Sequence, residues 1–212
     1  MFLQQPAVAI TDFILTLETI ILAFIILNIS VKSKLKGVSF LFYISLALGS
    51  LIGGIVHGFF PDIGSFWNLI LWKITMISIG LVALFAWLIA GNLVLPKYNK
   101  LILYVASLEF IFYCIFVLFV DSQFKIAILN YFPAIIFLFI SFGILCFRKN
   151  YSSLWGLAGI ILTFVAVWIQ EAQISLHSIY FNHNALYHLV QGIALLLIFF
   201  ALKRIISKKI KS

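Results

Sequence analysis

Charge is what this sequence has least of: only 9% of its 212 residues are Asp, Glu, Lys or Arg, against 65% hydrophobic. Soluble domains carry about 25% charged residues, so a soluble fold would leave far too much apolar surface in water. Cysteine is nearly absent, and Cys114 and Cys146 fall in apolar runs on different predicted helices. That excludes a disulfide framework and a thiolate metal cradle, and both read as small buried hydrophobes. No linker, repeat or low-complexity stretch separates a second domain. Segments of alternating polarity are also missing, which excludes a transmembrane β-barrel. Proline and glycine close span two at the turn Pro61-Asp62-Ile63-Gly64.

What is present is seven such runs, each near the roughly 20 residues a helix needs to cross the hydrocarbon. They predict one all-α, polytopic membrane domain over residues 1–212, a bundle of seven transmembrane helices at about 8–31, 37–60, 66–91, 101–120, 126–147, 154–173 and 185–202. Pro133 lies inside the fifth span, where a kink is expected. The N-terminal stretch has no basic region, and Asp12 and Glu18 interrupt its apolar run, so it reads as a retained span. The net charge of +8 does not imply nucleic acid. Twelve of the fourteen Lys and Arg fall after spans one, three, five and seven, which by the positive-inside rule puts the N-terminus outside and the C-terminus in the cytoplasm. The basic tail suits anionic lipid, and membrane lipids are the expected surroundings. Short loops and the lack of targeting signals suit a bacterial plasma membrane.

Ionisable side chains inside the hydrocarbon cost at least about 2.5–3.5 kcal/mol each and need partners, water or a function. Here they are Asp12 and Glu18 in span one, Lys73 in span three, Glu109 in span four and Glu171 in span six, with His57 and His188 near the outer ends of spans two and seven. At 1.5 Å of rise per residue, Asp12 and His57 lie about 5–6 Å below the outer ends of their spans. His188 and Glu171 come out level with them. Lys73 is the one deep cation, and an ion pair with Glu18 or Glu109 is expected. Ser50, Gly53, Gly54 and His57 form one stripe on span two, and Asn184, His188 and Gln191 another on span seven. His183 precedes His188 by five residues, about 140° around a helix, and converges with it only from off the helix, at a cap supplied by Asn182 or Asn184. His177 lies in the preceding loop.

Two classes of function follow. Three imidazoles that leave one coordination position to water are a recurrent catalytic zinc arrangement. His57, His183 and His188 would then bind zinc, with Asp12 or Glu171 taking the proton as water attacks a lipid-like amide or ester. The alternative is a non-enzymatic sensor or binding protein with a polar outer pocket for a lipid or small molecule, or a small transporter using Glu18, Lys73 and Glu109. The span layout, together with GSLIGGIVHGFF in span two and FNHNALYHLVQGIALLL at the start of span seven, resembles the alkaline ceramidases and the membrane-hydrolase superfamily that includes the progestin and adiponectin receptors. It is more similar still to a group of bacterial membrane proteins with an HNxLYHLxQ-like segment. The ceramidase resemblance implies zinc on His57 and His188, with His183 as third ligand. Where those families have a second His four residues before the last, this chain has Asn184; where they have Ser before the span-two His, it has Gly53; and where they carry Asp early in span three, it offers Asn68. Asp12, Glu171 or His177 would then replace missing ligands.

Overall fold

The computed structural model describes residues 3–177 and 180–208, and these form seven long helices: α1 (Pro6–Leu27), α2 (Lys34–Phe59), α3 (Phe66–Val94), α4 (Asn99–Phe119), α5 (Phe124–Phe147), α6 (Ser153–Glu171) and α7 (His183–Lys208). All seven are long and apolar enough to cross a membrane, as the hydropathy of the sequence predicts. The chain has the features of a multi-pass membrane protein.

Helix boundaries follow local chemistry. Pro6 opens α1 at a position where its missing N–H costs nothing. Ser33 caps α2 by accepting from Lys36 N at 3.2 Å, and Ser65 caps α3 by accepting from Asn68 N at 3.4 Å. Asn182 caps α7, its Oδ1 accepting from Ala185 N at 3.1 Å. Gly64, at φ +94°, makes the α2–α3 turn, a left-handed conformation that glycine adopts without strain. A short 3-10 turn, Pro96–Tyr98, leads into α4. α5 runs on through Pro133 as one helix.

Six helices close a ring, packed in the order α1, α2, α3, α5, α6, α7 and back to α1, while α4 lies outside against α3. Because α4 adds one crossing, α5–α7 run in the same senses as α1–α3. Within the ring α3 and α5 are therefore parallel neighbours, and so are α7 and α1. These two seams are the only ones in the ring that no direct loop ties together. At the end of the ring where α1, α3, α5 and α7 finish, the interior is solid: Phe42, Tyr43, Ile89, Phe142, Ile198 and Leu202 are fully buried. Tyr43 crosses from α2 to donate to the Leu195 carbonyl of α7 at 2.8 Å, and its ring meets Phe42 and Phe199 edge-on. Gly159 brings α6 so close to α7 that a Cβ there would lie 2.7 Å from the Ala194 carbonyl oxygen.

Candidate functional site

The opposite, N-terminal end of the ring is hollow. A cavity of about 250 Å³ is walled by all six ring helices and not by α4. Its body is apolar, with Leu15, Leu46, Ile79, Val82, Ile135 and Phe164 among the walls, and Asp12, His57, Gln170, Asn184, His188 and Gln191 supply the polar groups.

Asp12 and His188 meet because α1 and α7 are parallel and start at the same end. Each residue sits in the second turn of its helix, at nearly the same depth. His188 Nε2 lies 3.4 Å from Asp12 Oδ1, and the two side chains are only 12% and 5% exposed. His188 Nδ1 is 3.1 Å from Thr11 Oγ1. The Thr11 hydroxyl has one proton and two carbonyls, Ala7 and Val8, each 2.9 Å away to take it. The contact between Thr11 Oγ1 and His188 Nδ1 is a hydrogen bond that joins α1 to α7. His188 Nε2 faces the Asp12 carboxyl, so the two ring nitrogens of His188 meet two successive residues of α1.

His57, in the last turn of α2, is held in the same way by the segment before α1. Its Nδ1 donates to Gln5 Oε1 at 2.8 Å, and the backbone N–H groups of Gln4 and Gln5 donate to the Gly58 and His57 carbonyls. Beside Asp12, Gly53 leaves room that a side chain would take, since a Cβ there would lie 3.4 Å from Asp12 Oδ2. Gly54 gives the same clearance to Phe13, and Gly49 faces Ser78 of α3, so the small-residue face of α2 serves two neighbours. Thr16 and Ser50 join α1 to α2 through a hydroxyl contact of 2.9 Å. On the far wall Gln170 Nε2 donates to Asn184 Oδ1 at 2.7 Å, and Gln191 Nε2 reaches Thr163 Oγ1 at 3.5 Å. Three acceptor oxygens of lining residues are buried without a hydrogen-bond partner: Asp12 Oδ2, Gln170 Oε1 and Gln191 Oε1.

Of the residues singled out in the sequence, Asp12, Ser50, Gly53, His57, Asn184, His188 and Gln191 come together around this cavity, and Glu171, His183, Asn68, His177, Glu18, Lys73 and Glu109 do not line it. Glu171 is exposed; one residue is 100° of helix, and it is Gln170 that turns inward. His183 is the first residue of α7 itself, so the offset of five residues holds and it does not join His188. Asn68 donates to the Phe60 carbonyl at 2.7 Å and fixes the α2–α3 turn. His177 shapes its own loop, bridging to Phe181 and accepting from Tyr180 N at 3.1 Å.

The expected ion pair is corrected as well. Lys73 donates to the Leu118 carbonyl near the end of α4 at 2.8 Å. Glu109 is nine residues back along that helix, about 14 Å of rise away, and Glu18 faces α7 across the ring. Among the described residues, the only acid–base pair within 4 Å is Asp12 with His188.

The three histidines expected to share a zinc ion are not all gathered at the cavity: His57 and His188 line it and His183 does not. Among the described residues no three His, Cys, Asp or Glu side chains gather into a cradle for a metal, because His183 points around the helix from His188 and nothing takes its place. Sequence reasoning did not foresee Gln5, Thr11 and Gln170. Thr11 alone left a trace, as the neighbour of Asp12 on a helix already carrying two acids.

Comparison with curated proteins gives no match, and neither does comparison with solved structures. A model described as a family of unknown function, DUF6962, matches residues 7–207, and the chain belongs to that family.

Proposed function

We propose that this chain is a membrane-embedded binding protein of the sensor kind, which takes a small amphipathic molecule into the hollow end of its ring. The observation that carries this reading is the cavity itself: an apolar body joined to a polar end where three buried acceptors lack partners. An unsatisfied buried polar group costs about 1–3 kcal/mol, so a ligand that brings hydrogen-bond donors is favoured there. The volume, about 250 Å³, is just below the roughly 300–1,000 Å³ typical of pockets for drug-sized ligands, which favours a short chain or a single ring. The basic residues Lys32, Lys34, Lys36, Arg148, Lys149, Lys203 and Arg204 flank the solid end. By the positive-inside rule this supports a cytoplasmic solid end and a cavity in the outer half of the membrane.

The hydrolase alternative has less behind it. Among the described residues the histidines do not make a zinc cradle, and the Ser and Thr hydroxyls lining the cavity, Ser45, Ser50, Thr75 and Thr163, are bonded to backbone carbonyls or to other hydroxyl and amide groups and not to a histidine that would activate them.

The test uses the full chain in nanodiscs of zwitterionic lipid, titrated with octanol, octylamine and octanoate. Trp72 lines the cavity, so binding is read as a saturable fluorescence change that Trp72→Phe removes. Val167→Phe, placed to fill the cavity, is expected to weaken binding at least tenfold. If none of the three probes gives a saturable Trp72 signal, the binding reading fails. Zinc retained at one ion per chain and lost on His188→Ala would restore the hydrolase.

A further inference from the structure

A second hollow lies on the other side of His188. It is a groove of about 220 Å³ between α1 and α7, lined by Thr11, Ile14, Leu15, Glu18, His188, Leu189, Gly192, Ile193 and Leu196. Ile14, Leu189 and Ile193 are about half exposed, so the groove opens on the outer surface of the ring, where lipid would lie. Leu15 and His188 line both this groove and the internal cavity. The wall between the two spaces is therefore about one side chain thick.

Three features give the groove a character that packing alone does not require. Glu18 enters it from α1, and its carboxylate lies so close over α7 that a Cβ on Gly192 would fall 2.7 Å from Oε2. No hydrogen bond or ion pair of Glu18 is present among the described residues, and neither hollow has a Lys or Arg in its walls. Beyond the His188 wall waits Asp12, 96% buried, with Oδ2 unpartnered. Two acids thus stand in series along α1, six residues and about 120° of helix apart, Asp12 on the inner cavity and Glu18 on the outer groove, with His188 lining both and no Lys or Arg in either wall. The seam also has freedom to part, because α1 and α7 are one of the two ring pairs that no direct loop connects.

We infer that the α1–α7 groove is a lateral entrance selective for alkylamines dissolved in the membrane, with Glu18 capturing the ammonium group and Asp12 receiving it inside. This rests on the cavity-binding reading above and adds the chemical class of the ligand and its route. Charge complementarity favours an ammonium over an alcohol or a carboxylate: it supplies three donors to a path lined with acceptors, and a carboxylate would meet two acids with no counter-ion. The apolar walls Ile14, Leu189 and Ile193 accept the alkyl chain while the head moves from one carboxylate to the next. His188, held at Nδ1 by Thr11, is the side chain that must swing aside.

The experiment follows Trp72 fluorescence by stopped flow in the same nanodiscs, with octylamine and octanol as probes. Glu18→Gln, which preserves shape, is expected to slow octylamine association at least fivefold and to leave octanol association within twofold. Asp12→Asn is expected to weaken octylamine at equilibrium at least tenfold, and at least fivefold more than it weakens octanol. Gly192→Ala, which displaces the Glu18 carboxylate, should slow octylamine as Glu18→Gln does. If octylamine and octanol bind with equal rates and affinities, or if Glu18→Gln leaves octylamine association unchanged, the entrance is overturned while cavity binding stands. If neither probe binds, both readings fall.

Discussion

The two ends of the ring are built from the same six helices and solve opposite problems. At the solid end, Phe42, Tyr43, Phe142 and Ile198 fill the interior, and the polar groups that cross between helices there include the Tyr43 hydroxyl, paired to the Leu195 carbonyl, and the Ser141 hydroxyl, paired to the Ala90 carbonyl. At the hollow end, the same helices enclose open volume and buried acceptors without partners. Lipid tails are as apolar as leucine, so burial alone does not hold membrane helices together; close packing and satisfied hydrogen bonds do. The contrast therefore teaches where close packing has been kept and where it has been given up for open volume; buried polar atoms without partners occur toward both ends, Ser39 Oγ and Trp87 Nε1 toward the solid one, and those of Asp12, Gln170 and Gln191 belong to residues that line a cavity.

If the contrast is right, substitutions at the solid end should cost most. Gly159→Leu puts atoms where the Ala194 carbonyl and the Ile198 amide already are, and since backbone cannot yield, the loss should reach about 3 kcal/mol, the upper end for overpacking. The check is the thermal midpoint of the purified chain; an unchanged midpoint would break the comparison. Tyr43→Phe should come next, at about 1–2 kcal/mol, because it leaves the Leu195 carbonyl buried without its donor. At the hollow end, Gln170→Ala should cost about 0.5–1.5 kcal/mol for the bond to Asn184, whereas Glu171→Ala should stay within about 0.5 kcal/mol as an exposed site does. Equal effects at those two neighbours would show that α6 is rotated from the orientation described. The smallest change is expected for Val167→Phe, which adds bulk as Gly159→Leu does but into open volume. Its thermal midpoint should hold within about 0.5 kcal/mol of the parent even as ligand binding is lost.

The sequence carries the spans plainly, because hydropathy marks where helices cross, and it carries the level of the polar groups, because rise per residue is fixed. Asp12, His57 and His188 could be placed at one depth on that basis. It does not carry which way a helix faces, since in a membrane an apolar residue is equally at home against lipid or against another helix. Glu171 was thus favoured over Gln170, which is the one that turns inward. Nor could the position of α4 outside the ring be read: it is as apolar as the others, yet only Ala106, Tyr113 and Val117 are buried on it. Lys73 illustrates a third limit. Its partner is a backbone carbonyl at a helix end, and no pattern of side chains announces such a bond.

The pairing of α1 with α7 also bears on how the molecule is made. Translation delivers the chain from its N-terminal side, and α1 carries two acids into the bilayer while the only described base that reaches either of them lies five helices beyond α2. Until α7 emerges, Asp12 must be sheltered by α2 alone, against the clearance left by Gly53. The newborn α1–α2 pair therefore carries this carboxyl without its histidine, which arrives only with the last of the seven described helices.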